Sequence, residues 1–389
     1  MPMPLEGITV LDFTSYIAGP FCPLMLADMG ADVIKIEAHA GDPTRAFPSS
    51  MPNGSRLFEG VNRNKRGLRL DLKQAAGREV VYRLVRQADV VVENFRPGTT
   101  ERLQIGYDDL RQRQPKLIYC GISGYGSEGP LSGKPGFDQV LQTMTGIAAA
   151  QGRSLGRPML VGGSVVDFFA AMLATYGVML ALFVRERTGQ GQRVDTSLLA
   201  AALSMQAGRF VASEQEPPDS ERDLDPGISG LYPCREGHLY ISAHIQKFWL
   251  ALCEAAGLPD LASDPRYDTM RKRSDHAGEL RERLRDVFET RDAVEWAALL
   301  EDAGVPSAAA EPIHNMFDHP QVLANHLVEQ VAHPTLGNLS LFGLPLKLSA
   351  TPGLVRRAAP VLGQHADEIL AAAGYGDKEI DALRESRVI

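Results

Sequence analysis

The first 200 residues alternate short apolar runs, rich in β-branched residues, with segments in which apolar residues recur at helical spacing. Candidate strands are residues 8–13, 32–37, 67–72, 89–95, 117–123 and 192–197. Between the third and fourth strands, Val80, Val81, Leu84 and Val85 follow the spacing of an amphipathic helix. Near-continuous apolar strands separated by helices indicate a parallel sheet covered on both faces, and hence an α/β fold. Such sheets bind ligands beyond the carboxyl ends of their strands, so we expect a site in the loops after residues 13, 37, 95 and 123.

One carboxylate stands alone in an apolar stretch. Asp167 lies in VGGSVVDFFAAML, and residues 168–184 form a long apolar run that ends at Arg185. The pattern predicts a buried core helix with Asp167 as its N-cap, although the run reaches the lower length limit of a membrane span. Capping hydrogen bonds and the positive helix end both favour ionised aspartate, which would keep this carboxylate available as a nucleophile.

The composition changes twice in the second half of the chain. Residues 213–226 (SEQEPPDSERDLDP) are polar, acidic and proline-containing, which predicts a linker. Residues 1–212 are therefore expected to form the N-terminal part of a large domain, and residues 227–330 a smaller α+β domain. Residues 345–361 are a second extended, proline-marked connection. Residues 331–389 are predicted to link back and return to the large domain.

Charge and cysteine content argue against several classes of protein. The chain has 48 acidic and 40 basic residues, and the net charge of −8 argues against bulk binding of nucleic acid or anionic membranes. The four cysteines are scattered without metal-ligand spacing, which favours reduced thiols, and we expect no metal site. The N-terminal residues lack the basic and apolar regions of a signal peptide. We therefore expect a cytoplasmic protein without nucleic-acid or membrane partners.

A glycine motif raises the alternative of a nucleotide-binding oxidoreductase. Gly124, Gly126 and Gly129 form a GxGxxG after a predicted strand, which is half of a dinucleotide fingerprint. Pro130 follows at once, so no helix begins there to receive a pyrophosphate. The basic stretch NRNKRG, residues 62–67, is typical of a solvated turn.

Several motifs occur together in a fixed order. They are VLDFTSYIAGPFC, NRNKRGLRLDLK, ADVVVENFRPG, GYGSEGP, GFDQVLQTMTG, GGSVVDFFAAMLA and RTGQGQRVDTSLL, followed by LYPCREGHLYISA and PLKLSATPG. With them the chain resembles, over nearly its whole length, the class III coenzyme A-transferases of the CaiB/BaiF type. This family includes formyl-CoA transferase and carnitine CoA-transferase. The resemblance implies a large Rossmann-like domain, a smaller domain and an interlocked homodimer.

The resemblance also implies the chemistry. Asp167 would attack an acyl-CoA thioester to give a mixed anhydride and then an aspartyl-CoA thioester, from which an acceptor carboxylate takes CoA. The substrates would be acyl-CoA and a small carboxylic acid, with no tightly bound cofactor. The positions that match CoA-binding residues of the family are Ile17, Ala18, Leu70, Asp71, Leu72, Lys73, Asn94, Phe95, Arg96, Arg102, Ser123, Gly124, Tyr125 and Gly126.

The chain departs from its relatives at several positions. Some relatives carry an arginine at Ala38-His39, so other cations would have to bind the nucleotide phosphates here. Ile17 replaces a glutamine of formyl-CoA transferase, and a glycine-rich loop is reduced to PGISG at 226–230, which disfavours formate–oxalate exchange. The α-methylacyl-CoA racemases of the same fold use a histidine where Phe137 stands, and phenylalanine cannot move a proton. A racemase-like isomerase and a non-catalytic CoA-binding protein remain as alternatives.

Overall fold

The computed structural model describes residues 2–216 and 227–389. The chain divides into two compact units, one formed by residues 1–210 with 320–389 and the other by residues 211–319. Most of the predicted linker at 213–226, and the first residue of PGISG, lie outside the described residues.

The first unit is built on a six-stranded parallel sheet with the strand order β3-β2-β1-β4-β5-β6. Each strand overlaps one of the six predicted strands, and the α/β fold is confirmed. The strands are β1 Thr9–Asp12, β2 Asp32–Glu37, β3 Lys65–Arg69, β4 Val90–Glu93, β5 Ile118–Ser123 and β6 Arg193–Ser197. The helices up to residue 210 are α1 Ala18–Asp28, α2 Arg56–Asn62, α3 Ala75–Val85, α4 Thr99–Arg102, α5 Tyr107–Arg111, α6 Asp138–Met144, α7 Ile147–Gln151, α8 Val165–Thr188 and α9 Leu198–Ser204, with 3₁₀ turns at Pro43–Ala46 and Arg153–Leu155.

Alternation along the strands buries side chains on both faces of the sheet. Val10 and Val90 point to a core that includes residues of α1 and α8. The neighbouring Leu11 and Val91 point to the opposite core, which includes residues of α3 and the C-terminal helices. Two covered faces explain why these strands read as continuous apolar runs.

Helix α8 is the long helix that the apolar run predicts, although it is longer at both ends. Of the helices in residues 2–216 and 227–389, it alone is long and apolar enough to cross a membrane by length and composition. One side packs in the core through residues such as Ala170 and Ala174. A stripe on the other side is exposed, including Tyr176 at 64% and Phe183 at 55%. We call Met172, Tyr176, Met179, Leu180, Phe183 and Val184 the α8 stripe.

The basic stretch at 62–67 is not a solvated turn; that expectation is wrong. Arg63, Asn64 and Lys65 are all buried. Arg63 makes an ion pair with the buried Asp28, and the Asn64 amide donates to Asp28 at 2.7 Å. The Asn64 side chain also donates to the carbonyl oxygen of Leu354 and accepts from the backbone N–H groups of Arg356 and Arg357. The backbone N–H of Asn64 donates to the carbonyl oxygen of Arg357. The stretch therefore fastens the C-terminal segment to the first unit.

The predicted end of the small domain at residue 330 is wrong, because residues 320–330 belong to the first unit. Strands β10 Val328–His333 and β11 Gly337–Phe342 form an antiparallel hairpin. Arg63 donates to the carbonyl oxygens of Phe342 and Gly343, which holds the hairpin on the first unit. The remaining elements of this part of the chain are α15 Pro320–Ala324, α16 Ala366–Ala372 and α17 Asp377–Glu385. Between β11 and α16, residues 343–361 contain no helix or strand, as the prolines predicted.

The second unit is α+β. A three-stranded antiparallel sheet, β7-β8-β9, consists of Gly230–Pro233, His238–Ile241 and Ser307–Ala309. The first two strands form the hairpin predicted at 231–243. Its helices are α10 Gln246–Ala255, α11 Pro259–Ser263, α12 Met270–Asp275, α13 Ala277–Phe288 and α14 Ala293–Asp302, with a 3₁₀ turn at Ile313–Phe317. They enclose a separate core around Trp249 and Phe288.

Candidate active site

A cavity of about 550 Å³ lies at the carboxyl ends of β1, β4 and β5. The strand order changes direction between β1 and β4, and such a switch point is where doubly wound sheets bind ligands. The cavity is lined by the loops after these three strands, by residues 132–139, and by the start of α8. Among the residues that the structure describes, the acidic residues of the lining are Asp138 and Asp167, and the basic residues are Arg96 and Lys134.

Buried charges support the loop after β1. Lys35 donates to Asp42 at 3.1 Å and to the carbonyl oxygen of Thr14 at 3.0 Å. Beside this pair, Lys65 donates to Asp12 at 2.8 Å, and all four charged side chains are buried. Burial lowers the pKa of Lys65 to about 8, against the opposing charge of Asp12. Removing one member would leave a buried charge without its partner, so this network fixes the strand ends beneath the cavity.

Three aromatic rings form one wall of the cavity. Tyr16 lies edge-on to Phe47, with ring centroids 6.3 Å apart, and to Phe137, at 5.8 Å. Tyr16 has a φ of 69°, a left-handed conformation that is unfavourable for a bulky residue. Its backbone N–H donates to Asp42 at 3.3 Å, so the buried charges help to hold it there. The wall gives the cavity an apolar side.

The loops after β1 and β4 are joined by Asn94. Its side chain accepts a hydrogen bond from the N–H of Ser15 at 2.9 Å and donates to the carbonyl oxygen of Ser15 at 2.8 Å. A Cβ atom on Gly19 would lie 2.8 Å from the Asn94 side chain, so glycine is required at that position. Asn94 thus shapes the cavity by tying two of its loops together.

Asp167 is not the N-cap of the long helix; that prediction is wrong. The helix begins at Val165, which places Asp167 in its first turn. Ser164 occupies the cap position with a left-handed φ of 55° and makes no capping hydrogen bond with its side chain. Two glycines and a serine before the helix therefore turn the chain so that the Asp167 side chain lies in the cavity wall.

The capping carboxylate belongs to Asp138, which is far away in the sequence. Its Oδ2 atom accepts hydrogen bonds from the backbone N–H groups of Val166, at 2.7 Å, and Asp167, at 3.1 Å. Asp138 is buried, and the Gln142 side chain donates to its other oxygen. Two of the N-terminal N–H groups of α8 are thus occupied by another carboxylate.

The pKa of Asp167 is raised from its usual 3.8 to about 7, mainly because partial burial desolvates the carboxyl group and secondly because Asp138 carries a like charge. This is opposite to the expected effect of a cap. No described residue donates a hydrogen bond to the Asp167 carboxylate, whose ionised form is therefore poorly solvated. A carboxylate of this kind is basic and weakly shielded, which suits a nucleophile.

The glycine motif serves a close approach of two backbones. A Cβ atom on Gly124 would lie 2.8 Å from the Cα atom of Gly136, and one on Gly136 would lie 2.7 Å from the Cα atom of Gly124. The loop after β5 thereby packs directly on the segment that leads to Asp138. The motif has a structural explanation here, and no helix begins within it, as its sequence predicted.

The structure brings some of the predicted CoA-binding residues together around Asp167 and leaves others outside the cavity. Those in the lining are Ile17, Ala18, Asn94, Phe95, Arg96, Ser123 and Gly124. Gly126 lines a neighbouring cavity of about 440 Å³, which shares Phe95 and Arg96. Tyr125 packs against the core, and Arg102 is exposed on α4.

The predicted residues Leu70, Asp71, Leu72 and Lys73 follow β3, two strands away from β1 at the same edge of the sheet. Neighbouring strands lie about 4.8 Å apart, so this segment is about 10 Å from the end of β1. Leu70 is buried, whereas Lys73 is exposed.

Sequence reasoning missed several residues of the cavity. No motif marked Asp138 as a site residue, and its contact with α8 joins residues about 30 positions apart in the chain. Phe47 and Lys134 lie in loops without a distinguishing pattern. Among the described residues, no group of histidine, cysteine and acidic side chains could hold a metal ion.

Comparison with known proteins assigns the chain to a family. The family described as CoA-transferase family III matches residues 5–366. A succinyl-CoA:mesaconate CoA-transferase from Haloarcula hispanica is 36% identical over 96% of this chain and 97% of its own length. A succinyl-CoA:glutarate CoA-transferase from Homo sapiens is 32% identical over 99% of this chain and 90% of its own.

A solved structure extends the match to three dimensions. A CaiB/BaiF family protein from Brucella suis superposes with a TM-score of 0.85 at 29% identity, covering 96% of this chain and 100% of that protein. The match covers nearly the whole chain, whereas the glycine motif is a single loop, so the interpretation of that motif as the site of an oxidoreductase is excluded. The chain belongs to the class III CoA-transferases, enzymes that move CoA from an acyl-CoA thioester to a free carboxylic acid.

Proposed function

We propose that Asp167 carries this transfer through covalent intermediates. Its ionised oxygen attacks the thioester carbonyl carbon, the C–S bond breaks, and CoA leaves as the thiolate. The thiolate then attacks the Asp167 carboxyl carbon of the anhydride, which releases the donor acid and leaves an aspartyl-CoA thioester. The acceptor carboxylate attacks the carbonyl carbon of that thioester, the C–S bond breaks, and a second anhydride forms as the CoA thiolate is released. The returning thiolate attacks its acyl carbon, so the new acyl-CoA leaves and the Asp167 carboxylate is regenerated.

The observation that carries this proposal is the state of the Asp167 carboxyl group. It lies in the cavity at the switch point, its pKa is raised to about 7, and no described residue bonds to it. An anhydride is destroyed by water, so the aromatic wall of Tyr16, Phe47 and Phe137 supports the same chemistry by keeping that side apolar. Phe137 also argues against the racemase alternative, since it offers no group to move an α-proton.

CoA binding is proposed along the carboxyl edge of the sheet. The extended CoA molecule would place its thioester beside Asp167 and its nucleotide toward the segment after β3. Lys73 is exposed there. Arg96 and Lys134, at the cavity itself, are the described cations that could bind the pyrophosphate or an acidic substrate group. This arrangement supplies cations in place of the arginine missing at Ala38-His39.

For the acids, we propose small dicarboxylic acids as one class of substrate. The similar proteins from Haloarcula hispanica and Homo sapiens act on succinyl-CoA with mesaconate or glutarate. Each of these acids has a second carboxylate, which Arg96 or Lys134 could bind. The test is a panel of acyl-CoA donors against free dicarboxylic and branched monocarboxylic acids, with new thioesters detected by mass spectrometry. Activity only with monocarboxylic acids would contradict the dicarboxylate assignment.

We also propose that the chain works as a homodimer, interlocked through its extended connections. The α8 stripe supports this, because an apolar face of this length is unusual on the surface of a monomer. Interlocked chains separate only on unfolding, so folding and dimerisation cannot be uncoupled. Sedimentation at nanomolar concentration should show a dimer. A folded, active monomer under those conditions would contradict the proposal.

A further inference from the structure

Asp138 occupies a position that its sequence neighbours do not explain. It is the first residue of α6, it is 1% exposed, and it lines the same cavity as Asp167. Its Oδ2 atom accepts hydrogen bonds from the N–H groups of Val166 and Asp167. A buried carboxylate is costly, and its two backbone donors belong to the turn that carries the reacting side chain.

Gln142 holds Asp138 from the other side. The Gln142 side chain is fully buried, one turn along α6. Its amide nitrogen donates to Oδ1 of Asp138 and, at 3.0 Å, to the carbonyl oxygen of Val161. Its amide oxygen accepts from the N–H of Val161 at 2.8 Å. One side chain therefore holds both the Asp138 carboxylate and the segment that enters the turn before α8.

The turn between these two anchors needs support. Gly163 and Ser164, which precede α8, both have positive φ values, of 85° and 55°. A left-handed conformation is unfavourable for serine, so the surrounding contacts must hold it. Val161 is fixed by Gln142 on one side of the turn, and Val166 is fixed by Asp138 on the other.

We propose that Asp138, held by Gln142, is a positioning residue for the transfer reaction: it fixes the backbone of Asp167, and its charge faces the reacting carboxylate. This rests on the nucleophilic role proposed above for Asp167. The negative charge makes ionisation of Asp167 harder and the ionised oxygen more basic. The hydrogen bonds keep that oxygen at one place in the cavity.

Other groups that face Asp167 in the cavity are few. Arg96 follows β4 and Lys134 lies in the loop before α6, and neither is among the causes of the shifted pKa of Asp167. Tyr16 contributes a phenol from the loop after β1, and α9 contributes only Leu198. Asp138 is the described charge that opposes ionisation of Asp167, and its effect on the pKa of Asp167 is second to that of burial.

The two functions of Asp138 can be separated by substitution. Asp138→Asn keeps an oxygen that accepts from the α8 N–H groups but removes the charge. Asp138→Ala removes both. We expect kcat/KM of the wild type to fall below pH 7, since it reports the free Asp167 carboxylate. In Asp138→Asn the fall should begin at least half a pH unit lower, so its activity at pH 5.5 relative to pH 8 should rise about threefold or more.

Asp138→Ala should lose kcat at every pH, because the turn is no longer held. The control is Asp195→Asn, because the Asp195 carboxylate lies on β6, paired with Arg193, outside the Asp167 cavity. This variant should not change the pH at which kcat/KM falls. If kcat/KM of Asp138→Asn falls at the same pH as that of the wild type, the proposal is overturned.

A second variant covers the case in which Asp138→Asn does not fold. Gln142→Ala leaves the Asp138 charge in place and removes its support, so kcat should fall with little change in KM for acyl-CoA. An unchanged kcat would overturn the proposed clamp. Hydroxylamine trapping in the wild type separates this result from the chemistry. If residue 167 is not acylated, the proposed nucleophile fails; if it is acylated while the pH limb and kcat tests fail, only the positioning role fails.

Discussion

The raised pKa of Asp167 predicts that the protein becomes more stable when its proposed nucleophile is removed. Asp167→Asn replaces a group that must be ionised in a poorly solvated place by a neutral one of nearly equal size. The amide is a poor nucleophile, so transfer should be lost. The folded structure, however, no longer has to accommodate the charge, and stability should increase.

The magnitude follows from linkage between protonation and folding. The folded pKa of about 7 lies above the ordinary value of 3.8, so folding favours the protonated acid. The contribution of Asp167 to the free energy of unfolding is therefore largest below about pH 4, declines as the pH rises toward 7, and is constant above it. Three pKa units correspond to a ceiling of about 4 kcal/mol. Because Asp167 is only half-buried, solvent screening reduces this, and we expect a gain of about 2 kcal/mol at pH 8.

The assay is denaturant unfolding of the wild type and Asp167→Asn at pH 4 and pH 8. The gain should be present at pH 8 and nearly absent at pH 4. Asp108→Asn is the matched control, since the Asp108 side chain is 90% exposed and should show no such pH dependence. Equal stability of the two proteins at pH 8, or a gain of the same size at both pH values, would refute the role assigned to desolvation.

Three further predictions concern other parts of the first unit. Burial raises the pKa of Glu59 from 4.5 to about 7, so the protein loses stability as the pH rises through that range. The free energy of unfolding of Glu59→Gln should therefore exceed that of the wild type by about 1–3 kcal/mol above pH 7 but not at pH 4. Equal unfolding midpoints at pH 8 would contradict this. Asn64→Ala should lower the free energy of unfolding by about 2–5 kcal/mol and expose residues 354–357 to limited proteolysis. Asn53→Ala is the control, because Asn53 has a similar φ of 61° but lies on the surface, and it should leave that segment protected. Because Phe137 offers no base, a 2-methylacyl-CoA should exchange no α-proton in deuterated water, and rapid exchange would revive an isomerase.

The sheet was predictable because its information is local. Each strand is a short apolar run, and burial on both faces makes the runs continuous, as at Val90 and Val91. The position of the site followed from the same pattern, since parallel strands bind ligands at their carboxyl ends. The identity of Asp167 as the residue to examine followed from its isolation among apolar neighbours.

The environment of Asp167 was not predictable in the same way. Asp138, which caps the helix that carries Asp167, comes from another helix. Their contact depends on the turn at Gly163 and Ser164, and the sequence of that turn does not show which distant residue it will meet. The basic stretch at 62–67 was misread for a similar reason. Arg63 and Asn64 look solvated until the buried Asp28 and the C-terminal segment are brought to them by the fold. Long-range polar contacts of this kind carry no period that a sequence could show.

Transfer by the proposed route requires that the Asp167 carboxylate become acylated. The direct measurement is a rapid mixing of the enzyme with acyl-CoA, a quench in hydroxylamine, and peptide mass spectrometry. We expect a hydroxamate on Asp167 that forms within one turnover, disappears when acceptor acid is added before the quench, and is absent from Asp167→Asn. An enzyme that transfers CoA at its normal rate with no modification of Asp167, or with the modification on another residue, would contradict it.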